Sequence, residues 1–167
     1  MVRGQKNPLH FGLAKRLRAA RRLREIGGKP LSLAANLAAT TVLRIESEAS
    51  VPSIEAVERL ASVLKVSPGY LAYGIELPFD ERGGQGSARL PERLRMAREQ
   101  RGLSLNALAK LAGVARTTIG YIEDGVTMPS IATVELLARA LGIEACWLAY
   151  GEENRTGSEL LPQSDPG

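Results

Sequence analysis

The sequence predicts an all-α protein in which one small domain of five helices occurs twice. Residues 11–76 align with residues 88–153 without a gap, and 27 of the 66 pairs are identical. Within each copy, apolar residues recur at helical spacing between glycine, proline and serine breaks, and the alternation typical of a strand is missing. A repeat of this length indicates two tandem domains, because a solenoid needs at least three shorter units to bury its core.

The composition favours a polyanionic partner in a reducing compartment. The formal net charge is +4, and residues 1–30 hold nine lysines and arginines against one acid, Glu25. One cysteine excludes an internal disulfide framework. No apolar run approaches the roughly 18 residues of a membrane span, and the N-terminus lacks the apolar segment of a signal peptide. We therefore expect a cytoplasmic protein, associated with the nucleoid if the polyanion is DNA, and no membrane contact.

The composition along the chain also predicts the domain boundaries. Residues 1–10 are expected to form a basic flexible arm, and residues 77–88 a linker rich in glycine and proline. The two copies then occupy residues 11–76 and 89–151, the first of them degenerate. Residues 152–167 are expected to be a disordered tail.

In the second copy, residue types at helix ends predict the first two helices. Pro91 suits the first turn of a helix that ends near Gly102. Ser104 is expected to cap the next helix, whose buried face includes Leu105 and Leu108. Gly113 then allows a tight left-handed turn.

Similar signals predict the last three helices of this copy. A third helix begins near Arg116 and ends at Asp124-Gly125, and a fourth opens at Pro129-Ser130. A short fifth helix carries Trp147 and stops at Gly151.

The segment Leu103–Glu123 has the pattern needed to read a DNA groove. Small residues, Ala109 and Ala112, allow two short helices to cross closely, and Val114 and Ile119 fix the second helix on the first. The first turns of that second helix then project, with an arginine and short donors at their surface. These projecting residues are Arg116, Thr117, Thr118 and Tyr121.

This segment, together with Glu-Asp-Gly-Val-Thr-Met-Pro-Ser after it and the closing Trp-Leu-Ala-Tyr-Gly, resembles the Cro/CI-type (XRE) helix-turn-helix family. The resemblance is strong over residues 89–151 and weaker over 11–76. It implies two tandem five-helix lambda-repressor-like DNA-binding domains, each with its third helix in the major groove.

By position, the resemblance implies base contacts for Arg116 and Thr117 and base or backbone contacts for Thr118 and Tyr121. Gly120 departs from the polar residue usual in the family, which puts one base contact in doubt. Phosphate contacts are implied for Arg95 and Arg98 in the first helix and for the turn Thr127–Ser130.

The first copy departs further from the family pattern. Asn36 replaces the turn glycine and tolerates the same backbone conformation, while Ala39 replaces Arg116. Thr40, Thr41 and Arg44 keep polar groups on its third helix, and Arg18 and Arg21 match the arginines of the first helix. Leucines replace Gln100, Lys110 and Gly120, which indicates a protein interface at Leu23, Leu33 and Leu43.

These observations lead to a sequence-specific regulator of transcription that binds double-stranded DNA, with repression as its expected role. The second copy is expected to supply specificity, and the first copy affinity or a contact with a second protein. An antiactivator or antitoxin-like regulator that binds protein through its first copy stays open as the alternative, as does a homodimer. RNA is disfavoured because no aromatic platform is visible. No catalytic triad, carboxylate pair or metal-ligand cluster is found, so neither an enzyme nor a cofactor or metal is expected.

Overall fold

The computed structural model describes residues 7–81 and 86–152, and these residues contain ten α-helices, two 3-10 turns and no strand. The first half, residues 7–81, consists of the turn Leu9–Gly12, α1 (Leu13–Leu23), α2 (Gly28–Ala34), α3 (Thr41–Glu46), α4 (Ile54–Leu64) and α5 (Pro68–Tyr73). The second half, residues 86–152, consists of the turn Ser87–Arg89, α6 (Leu90–Gln100), α7 (Leu105–Ala112), α8 (Arg116–Glu123), α9 (Ile131–Leu141) and α10 (Ala145–Tyr150). The all-α prediction is confirmed, and the bounds of α1, α4 and α5 recur 77 residues later in α6, α9 and α10.

Serine side chains fix where several helices begin. The hydroxyl of Ser104 accepts a hydrogen bond from the amide of Ala107 at 3.1 Å, as the sequence predicted for α7. Ser130 accepts from the amide of Thr133 in the same way at the start of α9. Each cap satisfies a backbone donor that the first helical turn leaves without a partner.

Each half buries at least one large aliphatic side chain from each of its first four helices. In both halves these side chains have no exposed surface: Leu17, Leu31, Val42 and Leu60 in the first, and Leu94, Leu108, Ile119 and Leu137 in the second. Burial of one such side chain stabilises the fold by about 1.5–3 kcal/mol. The buried residues of both halves belong to one continuous core.

The two halves meet through reciprocal backbone contacts at the start of α4 and α9. The amide of Ile54 donates to the carbonyl of Pro129 at 3.0 Å, and the amide of Ile131 donates to that of Pro52 at 3.1 Å. Together they form an isolated antiparallel bridge between Ser53 and Ser130. Replacing each residue by its equivalent in the other half, 77 positions away, turns one of these contacts into the other.

Buried tyrosines repeat this reciprocity. The hydroxyl of Tyr73 donates to the carbonyl of Ile131 at 3.0 Å, and that of Tyr150 donates to the carbonyl of Ile54 at 3.1 Å. Burial raises the pKa of both phenols well above the usual range, so both hydroxyls keep their protons as donors. The closing helices α5 and α10, which carry these tyrosines, also pack on each other.

A glutamate on each fourth helix binds the segment before the first helix of the other half. Glu135 accepts from the amides of Leu9 and His10 at 2.6 and 3.2 Å and lies 2.5 Å from the His10 ring nitrogen. Glu58 accepts from the amide and the hydroxyl of Ser87. Burial raises the pKa of Glu135, but the hydrogen bonds from His10 and Leu9 outweigh it and hold that pKa below its usual value.

The last residues of the expected flexible arm over residues 1–10 take part in these contacts. Leu9 and His10 belong to an ordered 3-10 turn, because Glu135 binds their amides. Ser87, near the end of the expected linker, is buried, and its amide donates a hydrogen bond to Glu58. The remaining parts of the arm, linker and tail predictions at residues 1–6, 82–85 and 153–167 lie outside the described residues. No helix in the described ranges is long and apolar enough to cross a membrane.

Candidate nucleic-acid interface

Two helices of the second half, α7 and α8, are joined by a tight turn. α7 ends at Gly113, which adopts φ +67° and donates its amide to the carbonyl of Ala109 at 3.0 Å. A Cβ atom at this position would meet no heavy atom within 4 Å, so steric space does not require glycine here. The positive φ does favour glycine. Val114 and Ala115 complete the connection, and α8 begins at Arg116, as the sequence predicted.

The inner face of α8 fixes the helix, and the outer face is exposed among the described residues. Ile119 and Ile122 have no exposed surface, and α8 packs against both α6 and α7. The outer face exposes Arg116, Thr117 and Tyr121, with 55% of Tyr121 accessible. Thr118 is half-buried, so it lies at the edge of this surface.

An ion pair ties the last turn of α8 to α6. Arg98 donates to both carboxylate oxygens of Glu123, at 2.6 and 2.9 Å, and to the carbonyl of Leu103 at 2.8 Å. The Glu123 side chain is only 4% exposed and that of Arg98 13%. The hydrogen bond that Arg98 donates to the Glu123 carboxylate raises the pKa of Arg98. The guanidinium of Arg98 is therefore already committed to protein acceptors.

Arg95, one turn earlier on α6, has a more open environment. Its guanidinium contacts the carbonyl of Glu123 at 3.1 Å and the carboxylate of Asp124 at 3.2 Å, yet its side chain remains 49% exposed. Thr127 is also exposed, in the loop that follows α8. The structure thus separates the residues predicted to contact phosphate into an enclosed one, Arg98, and two accessible ones, Arg95 and Thr127.

The same pattern of ion pairs recurs at the end of α3. Arg21 donates to both oxygens of Glu46 at 2.7 and 3.0 Å, and Arg18 donates to the Glu46 carbonyl at 2.8 Å. Burial raises the pKa of Glu46, but the hydrogen bond and charge of Arg21, with Arg18, bring that pKa below its usual value. Arg21 is enclosed and Arg18 is 45% exposed, as in the second half.

The outer face of α3 differs in chemistry from that of α8. Thr40, Leu43 and Arg44 are exposed, and Thr41 is half-buried. Asn36 adopts φ +57° before this helix, as the sequence predicted for the replacement of the turn glycine. Where the second half has Ala109, the buried hydroxyl of Ser32 accepts from the amide of Val42 and so links α2 to α3.

The three leucines predicted to form a protein interface are all accessible. Leu23, Leu33 and Leu43 are 85%, 56% and 66% exposed. They lie on different helices, and Leu23 borders a cavity of about 360 Å³ that is also lined by Leu64 and Tyr70.

Several residues with structural roles were missed by the sequence reasoning. Arg16 donates to the carbonyls of Leu71 and Ala72 at the end of α5, and Arg93 donates to those of Leu148 and Ala149 at the end of α10. Burial lowers the pKa of both arginines. The signal that could have found them is identity across the repeat, which also marks Glu46 and Glu123, Glu58 and Glu135, and Tyr73 and Tyr150.

A helix pair joined by a tight turn, with a polar outer face on its second member, defines a helix-turn-helix. A family model described as "Helix-turn-helix" matches residues 94–148, which include α7 and α8. The chain is also 33% identical over 70 residues to the HTH-type transcriptional regulator SutR of Escherichia coli (strain K12). That match covers 42% of this chain and 39% of the relative, so the chain spans well under half of the relative's length. No solved structure matches.

Proposed function

We propose that this protein is a regulator of transcription that binds double-stranded DNA sequence-specifically through α8. The observation that carries the proposal is the outer face of α8, where Arg116, Thr117 and Tyr121 are exposed on a helix fixed from behind by Ile119 and Ile122. A rigid helix with such donors in its first turns matches what major-groove reading requires. The similarity to SutR, whose name describes a transcriptional regulator, supports the regulatory role.

We assign three roles to the residues of α8 and its surroundings: base contact, phosphate contact and positioning of the helix. In the proposed complex, Arg116 donates two hydrogen bonds to a guanine edge, with Thr117, Thr118 and Tyr121 beside it. Arg95 and Thr127, which remain accessible, bind phosphates and set the register of the helix. Arg98 acts as a positioning residue, because its contacts with Glu123 hold the end of α8. Repression follows as the proposed role, since a protein bound at a promoter excludes the polymerase.

A second candidate function is supported by the apolar surface of the first half. Leu23, Leu33 and Leu43 stand where the second half has Gln100, Lys110 and Gly120, and more than half of each leucine is exposed. Single exposed apolar residues are common, but a substitution of three polar or small positions is consistent with a protein partner. In that case the protein is an antiactivator or an antitoxin-like regulator.

Selection from a pool of random duplexes tests the proposed function. The full chain is expected to enrich one sequence and to bind it about 10³-fold or more tightly than a scrambled duplex at physiological salt. Binding to both duplexes is expected to weaken as salt rises, because counterions are released from phosphates. Equal affinity for the selected and scrambled duplexes contradicts sequence-specific binding.

A further inference from the structure

The contacts between the two halves have the pattern of a two-fold dimer interface. In a two-fold interface, a contact from residue i to residue j is matched by one from the equivalent of i to the equivalent of j. Tyr73 reaches Ile131 while Tyr150 reaches Ile54, and each residue of one pair lies 77 positions from its equivalent. The backbone bridge between Ser53 and Ser130 pairs a residue with its own equivalent, so the internal axis passes through it.

This axis places α3 and α8 at equivalent positions on the molecule. A two-fold rotation leaves the coordinate along its axis unchanged, so α3 and α8 lie at the same position along that axis. Residues 47–53 connect α3 to α4, and residues 124–130 connect α8 to α9, so each helix ends seven residues from the bridge. Seven residues span at most about 25 Å. With about 5 Å across the bridge itself, the ends of the two helices lie at most about 55 Å apart. This limit permits the roughly 34–36 Å between half-sites on one face of DNA.

We propose that a single chain binds two half-sites of one DNA site, with α8 in one major groove and α3 in the next. The inference rests on the proposed function of α8 and adds a second DNA-contacting surface at α3. The interface between the halves takes the place of a dimer interface, so one chain suffices for one duplex.

The two half-sites differ because the outer faces of α3 and α8 differ. Arg44 and Thr40 are exposed donors on α3, and Leu43 offers an apolar surface where α8 has Gly120. An arginine suits guanine, and an apolar side chain suits the thymine methyl group. The preferred site is thus an imperfect inverted repeat, in which the half bound by α3 contains a thymine preference that depends on Leu43.

The basic surface of α1 supports a DNA contact for the first half. Lys15, Arg18 and Arg22 are exposed on this helix, and Arg18 lies beside the end of α3. These exposed side chains are available for phosphates beside the half-site bound by α3, and such contacts supply affinity that does not depend on sequence.

The first experiment determines stoichiometry and spacing with the full chain and its selected duplex. Light scattering of the purified complex is expected to give one chain per duplex, and footprinting two protected major grooves about one helical turn apart. Insertion of about five base pairs between the half-sites turns them to opposite faces of DNA and is expected to lower affinity at least tenfold. Two chains per duplex overturn the inference.

Variants of α3 identify the second reader. Arg44→Ala is expected to lower affinity for the selected duplex about tenfold and to relax a position in one half-site. The control Arg139→Ala removes the same charge from a side chain that is 58% exposed near the end of α9. Its ion pair with Glu135, at 3.7 Å, is long and half-exposed and so contributes little, and affinity is expected to stay unchanged. Unchanged affinity for Arg44→Ala, with selective binding intact, overturns the inference and favours a protein partner for the first half.

A transfer of the α8 surface to α3 tests the reading directly. The variant Ala39→Arg/Leu43→Gly/Arg44→Tyr copies three outer residues of α8, and the selected site is expected to become a closer inverted repeat of the α8 half-site. Leu43→Ala, a milder change at an exposed position, is expected to remove the thymine preference from the other half-site. If Leu43→Ala and Arg44→Ala both select the wild-type sequence, α3 is not a reader. If the wild-type chain selects no sequence at all, the proposed function itself fails, which is a different result.

Discussion

Arg98 binds both carboxylate oxygens of Glu123, at 2.6 and 2.9 Å, and thereby joins α6 to the last turn of α8. Arg21 and Glu46 make the same pair in the first half, at 2.7 and 3.0 Å. In both halves an arginine one turn earlier, Arg95 or Arg18, also contacts the helix end but keeps about half of its side chain exposed. In each half, two arginines on the same face of the first helix therefore differ in burial: one is enclosed by its ion pair, and the other remains accessible to a ligand.

The enclosed arginine is expected to matter for stability. Arg98→Ala leaves the buried carboxylate of Glu123 without its principal partner, which is expected to lower the free energy of unfolding by about 3 kcal/mol. Chemical denaturation measures this loss. The double variant Arg98→Ala/Glu123→Ala is expected to recover part of it, and a double-variant loss equal to the sum of the single losses contradicts the coupling.

The exposed arginine is expected to matter for DNA. Arg95→Ala is expected to change stability by less than about 1 kcal/mol, because a surface ion pair contributes little. If Arg95 binds a phosphate, its removal flattens the plot of log affinity against log salt by about 0.9. Arg18→Ala gives the matched measurement in the first half, and an unchanged slope for Arg95→Ala argues against a phosphate contact at that residue.

Base reading by α8 is tested at Arg116. Arg116→Ala is expected to weaken binding to the selected duplex by about 1–3 kcal/mol and to relax one base position. The residue is exposed at the first turn of α8, so the stability of the fold is expected to remain unchanged. Competition binding with single-base variants of the selected duplex measures both effects. Wild-type affinity for Arg116→Ala shows that α8 is not the reader proposed here.

Local signals in the sequence predicted most of the second half. Ser104 predicts a cap and Gly113 a left-handed turn, because both roles depend on the residue itself and its neighbours. The start of α8 at Arg116 and the exposure of its polar face followed from the position of that turn and the buried isoleucine. Assignment of residues to DNA, by contrast, rests on the pattern of projecting donors and on a family resemblance, and it stays a prediction.

The packing of the two halves could not be predicted in this way. Tyr73 and Tyr150 occur in apolar closing helices, where sequence alone gives no indication that their hydroxyls reach across an interface. Arg98 and Arg95 likewise share one stripe of one helix, and their different burial depends on Glu123, which is distant in sequence. These relationships are non-local, so only the fold brings the partners together.

The tyrosine contacts are expected to make the two halves unfold as one unit. Tyr73→Phe and Tyr150→Phe each remove one buried hydrogen bond between the halves and are expected to cost about 1 kcal/mol each. Because the core is continuous, each variant is expected to shift a single unfolding transition rather than split it. Circular dichroism follows the helices of both halves, whereas tryptophan fluorescence follows Trp147 in the second half. Coincident transitions by the two probes are therefore expected. Non-coincident transitions in the wild-type chain contradict the shared core.

Acid is expected to weaken the contact between Glu135 and the turn before α1. The pKa of Glu135 is held below its usual value, so its contribution to stability is present above the unfolded pKa of about 4.3 and is lost as pH falls through the lower folded value. The free energy of unfolding, measured by denaturation from pH 7 to pH 3, is therefore expected to fall below about pH 5. Glu135→Gln is expected to be about 1 kcal/mol less stable at pH 7 and to fall less steeply with acid, because it has no proton to take up. Glu76→Gln, at an exposed position, is the control and is expected to follow the wild-type curve. If the free energy of unfolding of Glu135→Gln falls with acid as steeply as that of the wild type, protonation of Glu135 does not cause the loss of stability.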